Sequence, residues 1–303
     1  MLKTVITCLQ DIDSDLVTEL ELNQVSMRSV AISNEETADQ WLKRLSSEVK
    51  EQGLREQECI VIASDRKMLQ ILTEAGWKCI GYAEPGSQSM DLFGCCEYVI
   101  EGWEGIGYPY INRLYYRLAG IPLVIATTEH LTIRELIQED VSRLCEICGQ
   151  NSVRAFISDI GDNLQEEAEK HSAYIEHAYC FYDYGYWGIY DRQTGELIGR
   201  CGIQDNMIDG TVEVELGYLL AEEQRGKGYA KEAVKAVLEY AFRNVGLTRI
   251  VAQVAPENTA SLRVAESCGM LWEKDVRNGE HKCGLYVITA KNYGQLSVQK
   301  SDR

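Results

Sequence analysis

The sequence predicts an α/β protein of two domains. Residues 1–125 are expected to form a small α/β domain with a largely parallel sheet, and residues 126–303 a larger domain with a mostly antiparallel sheet. The chain has 303 residues, of which 45% are hydrophobic, enough for two cores of ordinary size. Short apolar runs alternate with helical patterns in the first part. In the second part, a hairpin pattern leads into a glycine-rich turn and a long amphipathic helix.

The charge of the chain narrows the classes of partner that it can have. Acidic residues outnumber basic ones by 47 to 30, which gives a formal net charge of -17. We therefore expect neither a nucleic-acid surface nor a surface for anionic membranes. The amino terminus, MLKTVITCLQDIDSD, becomes acidic too early for a signal peptide, and no apolar stretch approaches the roughly 18–20 residues of a membrane span. The sequence therefore predicts a cytoplasmic protein.

The 11 cysteines fit a reducing compartment, in which most of them would be buried thiols. Cys145 and Cys148 have C-x-x-C spacing, but they lie within an apolar helical pattern and have no second pair nearby. Packing explains these two residues better than a metal site does, so we predict no bound metal.

The first domain shows the β-α-β rhythm of a parallel sheet. Residues 58–64 (ECIVIAS) and 78–83 (KCIGYA) are apolar and strand-like, and residues 65–77 between them have helical spacing. Upstream, the stretch SNEETADQWLKRLSSEVKEQG predicts an amphipathic helix, with Ser33 as its cap and Glu36 three residues later.

Part of this domain resembles the haloacid dehalogenase family. The resemblance covers residues 58–107, where IASDRKMLQILTEAGWKCIGY is followed by CEYVIEGWEGI. Such hydrolases need a nucleophilic aspartate and a second aspartate two residues on, at the end of the first strand. Asp11 and Asp13 have this spacing, but they lack the strong apolar run before them and the usual Thr or Val after them. We therefore predict a non-catalytic domain.

The second domain is centred on a glycine-rich turn between a strand and a helix. Residues 186–205 form a hairpin pattern, residues 210–220 (GTVEVELGYLL) form a further strand, and the turn EEQRGKG follows. The apolar face of the helix after the turn consists of Ala230, Ala233, Val234, Val237, Leu238, Ala241 and Phe242. Glycines let a ligand approach the main chain, and the unpaired N–H groups at a helix start attract phosphate. The turn is therefore either an anion site, with Arg225, Lys227 and Lys231 at its rim, or a plain connection.

These motifs resemble those of the GNAT acyltransferase superfamily. The pyrophosphate loop of that family reads Gln or Arg, x, x, Gly, x, Gly or Ala, and Arg225, Gly228 and Ala230 match it. The stretch PENTASLRVAESCGM is similar to the family's N-x-x-S and the helix after it, through Asn258, Ser261, Gly269 and Met270. With HLTIREL and EVELGYLL, the resemblance covers about residues 126–290 and points to the branch of the ribosomal-protein N-acetyltransferases.

The resemblance implies a GNAT fold, in which the sheet splays open between strands at 212–219 and 249–255. Acetyl-coenzyme A (acetyl-CoA) would lie in the opening, with its pyrophosphate on the backbone of 226–230 and its pantetheine beside the strand edge. The implied cofactor-binding residues are Leu219, Leu220, Arg225, Gly226, Lys227, Gly228, Tyr229, Ala230 and Asn258. A helix N-cap explains Asn258 equally well, and both roles are compatible.

Acylation of an amine needs a base, because an ammonium group has no lone pair. Glu213 and Glu215 are i and i+2 on one strand, so they share a face, where mutual repulsion favours proton uptake by one of them. The resemblance places Glu215 where the ribosomal-protein branch has its glutamate, and a solvated strand face is the alternative. Many relatives protonate the leaving thiolate with a tyrosine, at a position that Ala265 occupies here. The resemblance offers Ser261 instead, although helix capping explains that serine almost as well.

The sequence therefore predicts an N-acetyltransferase that moves an acetyl group from acetyl-CoA to a primary amine by direct transfer. Protein N-termini, peptides and small amines stay open as acceptors, and so does the oligomeric state. A second hypothesis is an acyl-CoA-binding sensor without turnover, which Ala265 favours and the paired glutamates disfavour. A third is a bifunctional protein with phosphatase-like activity in its first domain.

Overall fold

The computed structural model describes residues 1–9, 11–31, 36–87, 94–156, 163–182, 184–279 and 281–301. The chain divides into two compact units, unit 1 (Met1–Ile121) and unit 2 (Pro122–Arg303). The domain boundary predicted from the sequence lies after residue 125. In the structure, Val124 already pairs with Arg134 in the sheet of unit 2.

Unit 1 contains a parallel sheet, as the sequence predicts. Its strands are β1 (Thr4–Thr7), β2 (Ser26–Ser29), β3 (Cys59–Ala63), β4 (Cys79–Ala83) and β5 (Tyr98–Glu101), in the order β2-β1-β3-β4-β5. Every residue of β3 and β4 is buried, which is typical of a parallel sheet covered on both faces. The covering helices are α1 (Ser14–Leu22), α2 (Ala38–Glu51), α3 (Arg66–Glu74) and α4 (Tyr108–Leu118). α2 and α3 pack in one apolar cluster, and α1 and α4 pack in another.

Helix α2 begins later than the sequence analysis predicts. Its N-cap is Thr37, whose hydroxyl accepts a hydrogen bond from the backbone N–H of Gln40 at 3.4 Å. The Gln40 side chain in turn accepts from the backbone N–H of Thr37 at 2.9 Å, which completes a capping box. Ser33, the predicted cap, lies outside the described residues.

Unit 2 contains a mostly antiparallel sheet, which is also as predicted. Its strands are β6 (Val124–Thr127), β7 (Leu131–Arg134), β8 (Tyr186–Asp191), β9 (Leu197–Ile208), β10 (Thr211–Leu220), β11 (Arg249–Val254), β12 (Leu271–Asn278) and β13 (His281–Thr289). They lie in the order β12-β13-β11-β10-β9-β8-β7-β6, and β10 and β11 run parallel. The helices are α5 (Val141–Cys148), α6 (Asn151–Arg154), α7 (Leu164–Tyr182), α8 (Tyr229–Tyr240), α9 (Thr259–Ser267) and α10 (Ala290–Ser301).

Strand β10 is covered on both faces, so its side chains alternate between two clusters. Leu216 and Leu220 pack with Val234 of α8 in one cluster, whereas Leu219 packs with Leu144 of α5 in the other. The region around β10 is therefore held between helices on either side of the sheet. Among the described residues, no helix combines the length and the apolar character that crossing a membrane requires.

Candidate active site

The sheet of unit 2 opens between β10 and β11. These two strands share a single pair of residues, Glu215 and Val251. By contrast, β10 pairs with β9 along its whole length, and β11 pairs with β13 along its whole length. Beyond Glu215, the edge of β10 that faces β11 therefore has no ladder partner among the described residues. The splayed sheet implied by the family resemblance is confirmed.

The glycine-rich turn lies at the end of this free edge. Gly226 and Gly228 have φ of 76° and 87°, in the left-handed region that favours glycine, and Gly228 is the N-cap of α8. A Cβ atom added to either glycine would meet nothing within 4 Å, so the space above the turn is open. Nε of Arg225 donates to the carbonyl oxygen of Leu220 at 3.3 Å and ties the turn to the end of β10. The N–H groups in the first turn of α8 are therefore available to an anion.

The basic residues predicted at the rim of the turn are exposed. Arg225, Lys227 and Lys231 all lie at the surface, where they add positive charge around the start of α8. Lys227 donates to the Gln224 side chain at 2.8 Å and lies 5.9 Å from the centre of the Tyr229 ring. Tyr229 and Ala230 are half-buried and pack against the core of unit 2.

The two glutamates of β10 lie in different surroundings. Glu213 forms an ion pair with Arg249, whose Nε and Nη2 donate to the two carboxylate oxygens at 3.0 and 3.1 Å. Arg249 also binds Glu273 at 2.9 Å, so one guanidinium joins β10, β11 and β12. The positive charge of Arg249 offsets the repulsion that the sequence analysis expects between the two glutamates.

Glu215 accepts hydrogen bonds from neutral groups. Nδ2 of Asn206 donates to Oε2 at 2.6 Å. The backbone N–H and the side-chain Nε2 of Gln253 both donate to Oε1, at 3.3 and 3.2 Å. Glu215 therefore lies at the vertex of the opening, bridged to β11 through its own side chain.

Gln253 also brings an unsatisfied acceptor to this vertex. Its Oε1 is buried and has no hydrogen-bond partner among the described residues. Buried polar atoms are nearly always hydrogen-bonded, so an orphaned acceptor indicates a missing donor. A ligand that carries N–H groups would supply one.

Asn258 and Ser261 lie at the start of α9. Oδ1 of Asn258 accepts from the backbone N–H of Ser261 at 3.1 Å, so the N-cap explanation of Asn258 is confirmed. The Ser261 hydroxyl accepts a hydrogen bond from the Tyr218 hydroxyl at 3.0 Å. Burial raises the pKa of Tyr218 to about 12, and the bond to Ser261 acts in the opposite direction. Ala265, at the position of the family tyrosine, is 5% exposed and belongs to the core.

Four residues of this region were not predicted from the sequence: Tyr218, Arg249, Asn206 and Gln253. Tyr218 stands in the ELGY motif, and Arg249 and Gln253 stand in the strand on the other side of the predicted opening, so their elements could be recognised. Their pairings depend on the register between β10 and β11, which no local pattern encodes.

Other candidates from the sequence have local structural roles. Cys145 and Cys148 are buried, and burial raises the pKa of both thiols. Asp13 is the N-cap of α1 and accepts from the backbone N–H groups of Asp15 and Leu16 at 2.8 and 3.0 Å. Asp11 is exposed. No cluster of His, Cys, Asp and Glu that could hold a metal ion occurs within the described ranges.

Residues 130–271 match the family model of the Acetyltransferase (GNAT) domain. The uncharacterized N-acetyltransferase p20 of Bacillus licheniformis is 32% identical over 161 residues, which cover 53% of this chain and 89% of that protein. The ribosomal protein uS5-alanine N-acetyltransferase of Escherichia coli is 27% identical over 151 residues, with coverages of 47% and 76%. The protein YkkB of Bacillus subtilis is 37% identical over 111 residues, with coverages of 37% and 64%, so the match spans less than two thirds of YkkB.

The matched residues contain the free edge of β10, the glycine-rich turn and the Asn258–Ser261 cap. The match to p20 extends over nearly the whole of that N-acetyltransferase. The chain therefore belongs to the GNAT family of acetyltransferases.

Proposed function

We propose that unit 2 binds acetyl-CoA in the opening between β10 and β11 and transfers the acetyl group to a primary amine. The observation that carries this proposal is the free edge of β10, which runs without interruption from Glu215 to the glycine-rich turn. In this proposal the backbone of Gly226–Ala230 holds the pyrophosphate, and the edge at Leu219 and Leu220 holds the pantetheine. The acetyl end then lies toward Glu215. Asn258 contacts the cofactor arm with the amide nitrogen that capping leaves available.

The vertex of the opening suits an amine acceptor. The Glu215 carboxylate and the orphaned Oε1 of Gln253 are both hydrogen-bond acceptors, and an amine brings donors. Glu215 accepts the proton that the amine must lose, directly or through a water molecule. Glu213 is the weaker choice of base, because Arg249 holds both of its carboxylate oxygens.

Ser261 serves the leaving group in this mechanism. The nitrogen forms a bond to the acetyl carbon, the C–S bond breaks, and the sulfur takes a proton. Because the Tyr218 hydroxyl donates to Ser261, the Ser261 proton is free to point toward the sulfur. Tyr218 is therefore a positioning residue, and the pair makes up for the absence of a tyrosine at Ala265.

For the acceptor we propose a protein amino terminus, since the E. coli relative is named as an enzyme that acetylates the alanine of a ribosomal protein. The cysteines whose side chains the structure describes form no disulfide, which fits a reducing compartment, and we propose the cytoplasm. We also propose that unit 1 is non-catalytic, because the Asp13 side chain is engaged as a helix cap.

Thermal unfolding with acetyl-CoA tests the proposal. At about 100 times its Kd, a ligand stabilises the folded state by roughly 2.7 kcal/mol, which raises Tm by roughly 5–10 °C for a unit of this size. Gly228→Glu should abolish the shift, because it places a carboxylate where the pyrophosphate binds. Gly195→Glu is the matched control, since Gly195 also has a positive φ and open space around it but lies in the β8–β9 hairpin. An unshifted wild type, or a Gly228→Glu protein that shifts like the wild type, would contradict the assignment of the turn.

A measurement of turnover distinguishes an acetyltransferase from an acyl-CoA-binding sensor. Thiol release from acetyl-CoA should depend on an added amine, and we would compare alanine-initiated peptides with polyamines. A protein that shows the thermal shift but transfers no acetyl group to any amine of the panel is the sensor instead.

A further inference from the structure

Tyr186 lies across the sheet and reaches the free edge region of β10. Tyr186, Gly202 and Gly217 form one row of register partners across β8, β9 and β10. A Cβ atom on Gly217 would stand 2.9 and 3.0 Å from two Tyr186 ring carbons and would clash with the hydroxyl. A Cβ on Gly202 would meet the Tyr186 Cα at 2.6 Å. The two glycines therefore allow the tyrosine to lie close to the sheet, with its hydroxyl over β10.

The position of Tyr186 is firmly set by its neighbours. Its backbone N–H donates to the Tyr174 hydroxyl, and its carbonyl oxygen accepts from the Tyr179 hydroxyl, both at 2.6 Å. The Arg200 guanidinium stacks over its ring, 4.8 Å from the ring centre. These contacts fix the ring on the same face of β10 as Glu215.

The Tyr186 hydroxyl itself has no hydrogen-bond partner among the described residues. Tyr186 is half-buried, so part of the residue is accessible to solvent. A hydroxyl that is held in place and unpaired is available to a ligand. Burial raises the pKa of Tyr186, so the group stays a neutral donor at neutral pH.

The role inferred for this hydroxyl rests on the proposed function. If the pantetheine lies beside Leu219 and Leu220 and the acetyl end points toward Glu215, the thioester lies beside Gly217, about 7 Å along the strand from Leu219. We propose that the Tyr186 hydroxyl donates a hydrogen bond to the acetyl carbonyl oxygen. This bond strengthens as the amine adds to the carbon and the carbonyl electron pair moves onto the oxygen. When the pair returns, the C–S bond breaks, and Tyr186 has kept its proton throughout.

Tyr186→Phe tests this role by removing one oxygen atom. We expect kcat to fall about 100- to 1,000-fold, the usual effect of losing one donor to a developing oxyanion. KM for acetyl-CoA and the thermal shift with acetyl-CoA should stay within about 3-fold and about 1 °C of the wild type, because the pyrophosphate and pantetheine contacts are untouched. Tyr293→Phe is the matched control, because it also removes one tyrosine hydroxyl, which lies on α10 and donates to the Lys235 carbonyl oxygen of α8. A Tyr186→Phe enzyme with kcat within about 3-fold of wild type would refute the inference.

A fluorinated tyrosine at position 186 keeps the test decisive if the phenylalanine variant folds poorly. Its hydroxyl ionises at lower pH than that of tyrosine, and a phenolate cannot donate. We expect kcat to fall on the alkaline side at a lower pH than in the wild type, and an unchanged pH profile would overturn the inference.

A wild type that binds no acetyl-CoA or uses no acceptor would refute the proposed function and this role with it. An active wild type with insensitive Tyr186 variants would refute this role alone.

Discussion

Exchanging each glutamate of β10 for glutamine should separate a structural role from a catalytic one. Glu213→Gln and Glu215→Gln each remove one negative charge from the same face of one strand and hardly change side-chain size. The donors around the two sites differ. Asn206, which donates to Glu215, can invert its amide and accept from the new NH2 group. Arg249, which donates to Glu213, has no acceptor atom with which to adapt.

Glu213→Gln should therefore lower the free energy of unfolding more than Glu215→Gln does. One charge-assisted hydrogen bond is lost and the other is weakened, and Arg249 is 33% exposed, so solvent screens part of the effect. We expect a loss of about 1 kcal/mol, which lowers Tm by roughly 2–4 °C for a unit of this size. Glu215→Gln should cost less than about 0.5 kcal/mol, because its hydrogen bonds can be re-formed.

Glu215→Gln should lower kcat more than Glu213→Gln does. An amide cannot take the proton of the amine, so kcat should fall about 100- to 10,000-fold while the thermal shift with acetyl-CoA is kept. Glu213→Gln should retain kcat within about 10-fold. Thermal melts and amine-dependent thiol release on the same two preparations measure both effects. If Glu213→Gln were the inactive variant and Glu215→Gln the active one, the choice of base would be wrong.

Two further predictions concern residues near these glutamates. Ser261→Ala should lower kcat about 10- to 100-fold at unchanged acetyl-CoA binding, and Tyr218→Phe should lower kcat less, because Ser261 keeps its own proton. Equal single-turnover rates of the wild type and the two variants would exclude Ser261 as the proton donor. Arg249 lowers the pKa of Glu273 from its usual 4.5 through a hydrogen bond. A lowered carboxyl pKa stabilises the fold above about pH 4.5, and this contribution is lost as the pH falls through the folded-state value. The difference in Tm between wild type and Arg249→Leu should therefore be present at pH 7 and shrink toward pH 3, and a difference that is independent of pH would argue against the ion pair.

The parts of the fold that local patterns encode could be predicted. The strand at 58–64, the helix after it and the strand at 78–83 correspond to β3, α3 and β4, because burial on both faces leaves continuous apolar runs. The start of α2 could not be chosen in the same way. The stretch SNEETADQ contains two consecutive capping patterns, Ser33 with Glu36 and Thr37 with Gln40, and the structure uses the second.

In the candidate site, too, features that are local in the chain could be predicted and contacts between separate elements could not. The glycine-rich turn could be recognised because its glycines, its basic residues and the helix after it are contiguous in the chain. The partners of Glu213, Glu215 and Ser261 could not, because each contact joins β10 to a residue on another element. Tyr186 is the clearest case: its ring crosses two strands, and only the register of β8, β9 and β10 shows that Gly202 and Gly217 lie beneath it.

The position of the proposed base follows from the way in which the sheet opens. In a regular parallel ladder, the backbone N–H of Gln253 would bond to a carbonyl oxygen of β10. Here it donates to the carboxylate of Glu215 instead, so this side chain ends the pairing and marks the vertex of the opening. An acetyl group that entered along the free edge would meet the Glu215 side chain at this vertex, where the carboxylate joins β10 to Gln253 of β11. In the proposed mechanism, the residue that ends the free edge is therefore also the residue that takes the proton from the attacking amine.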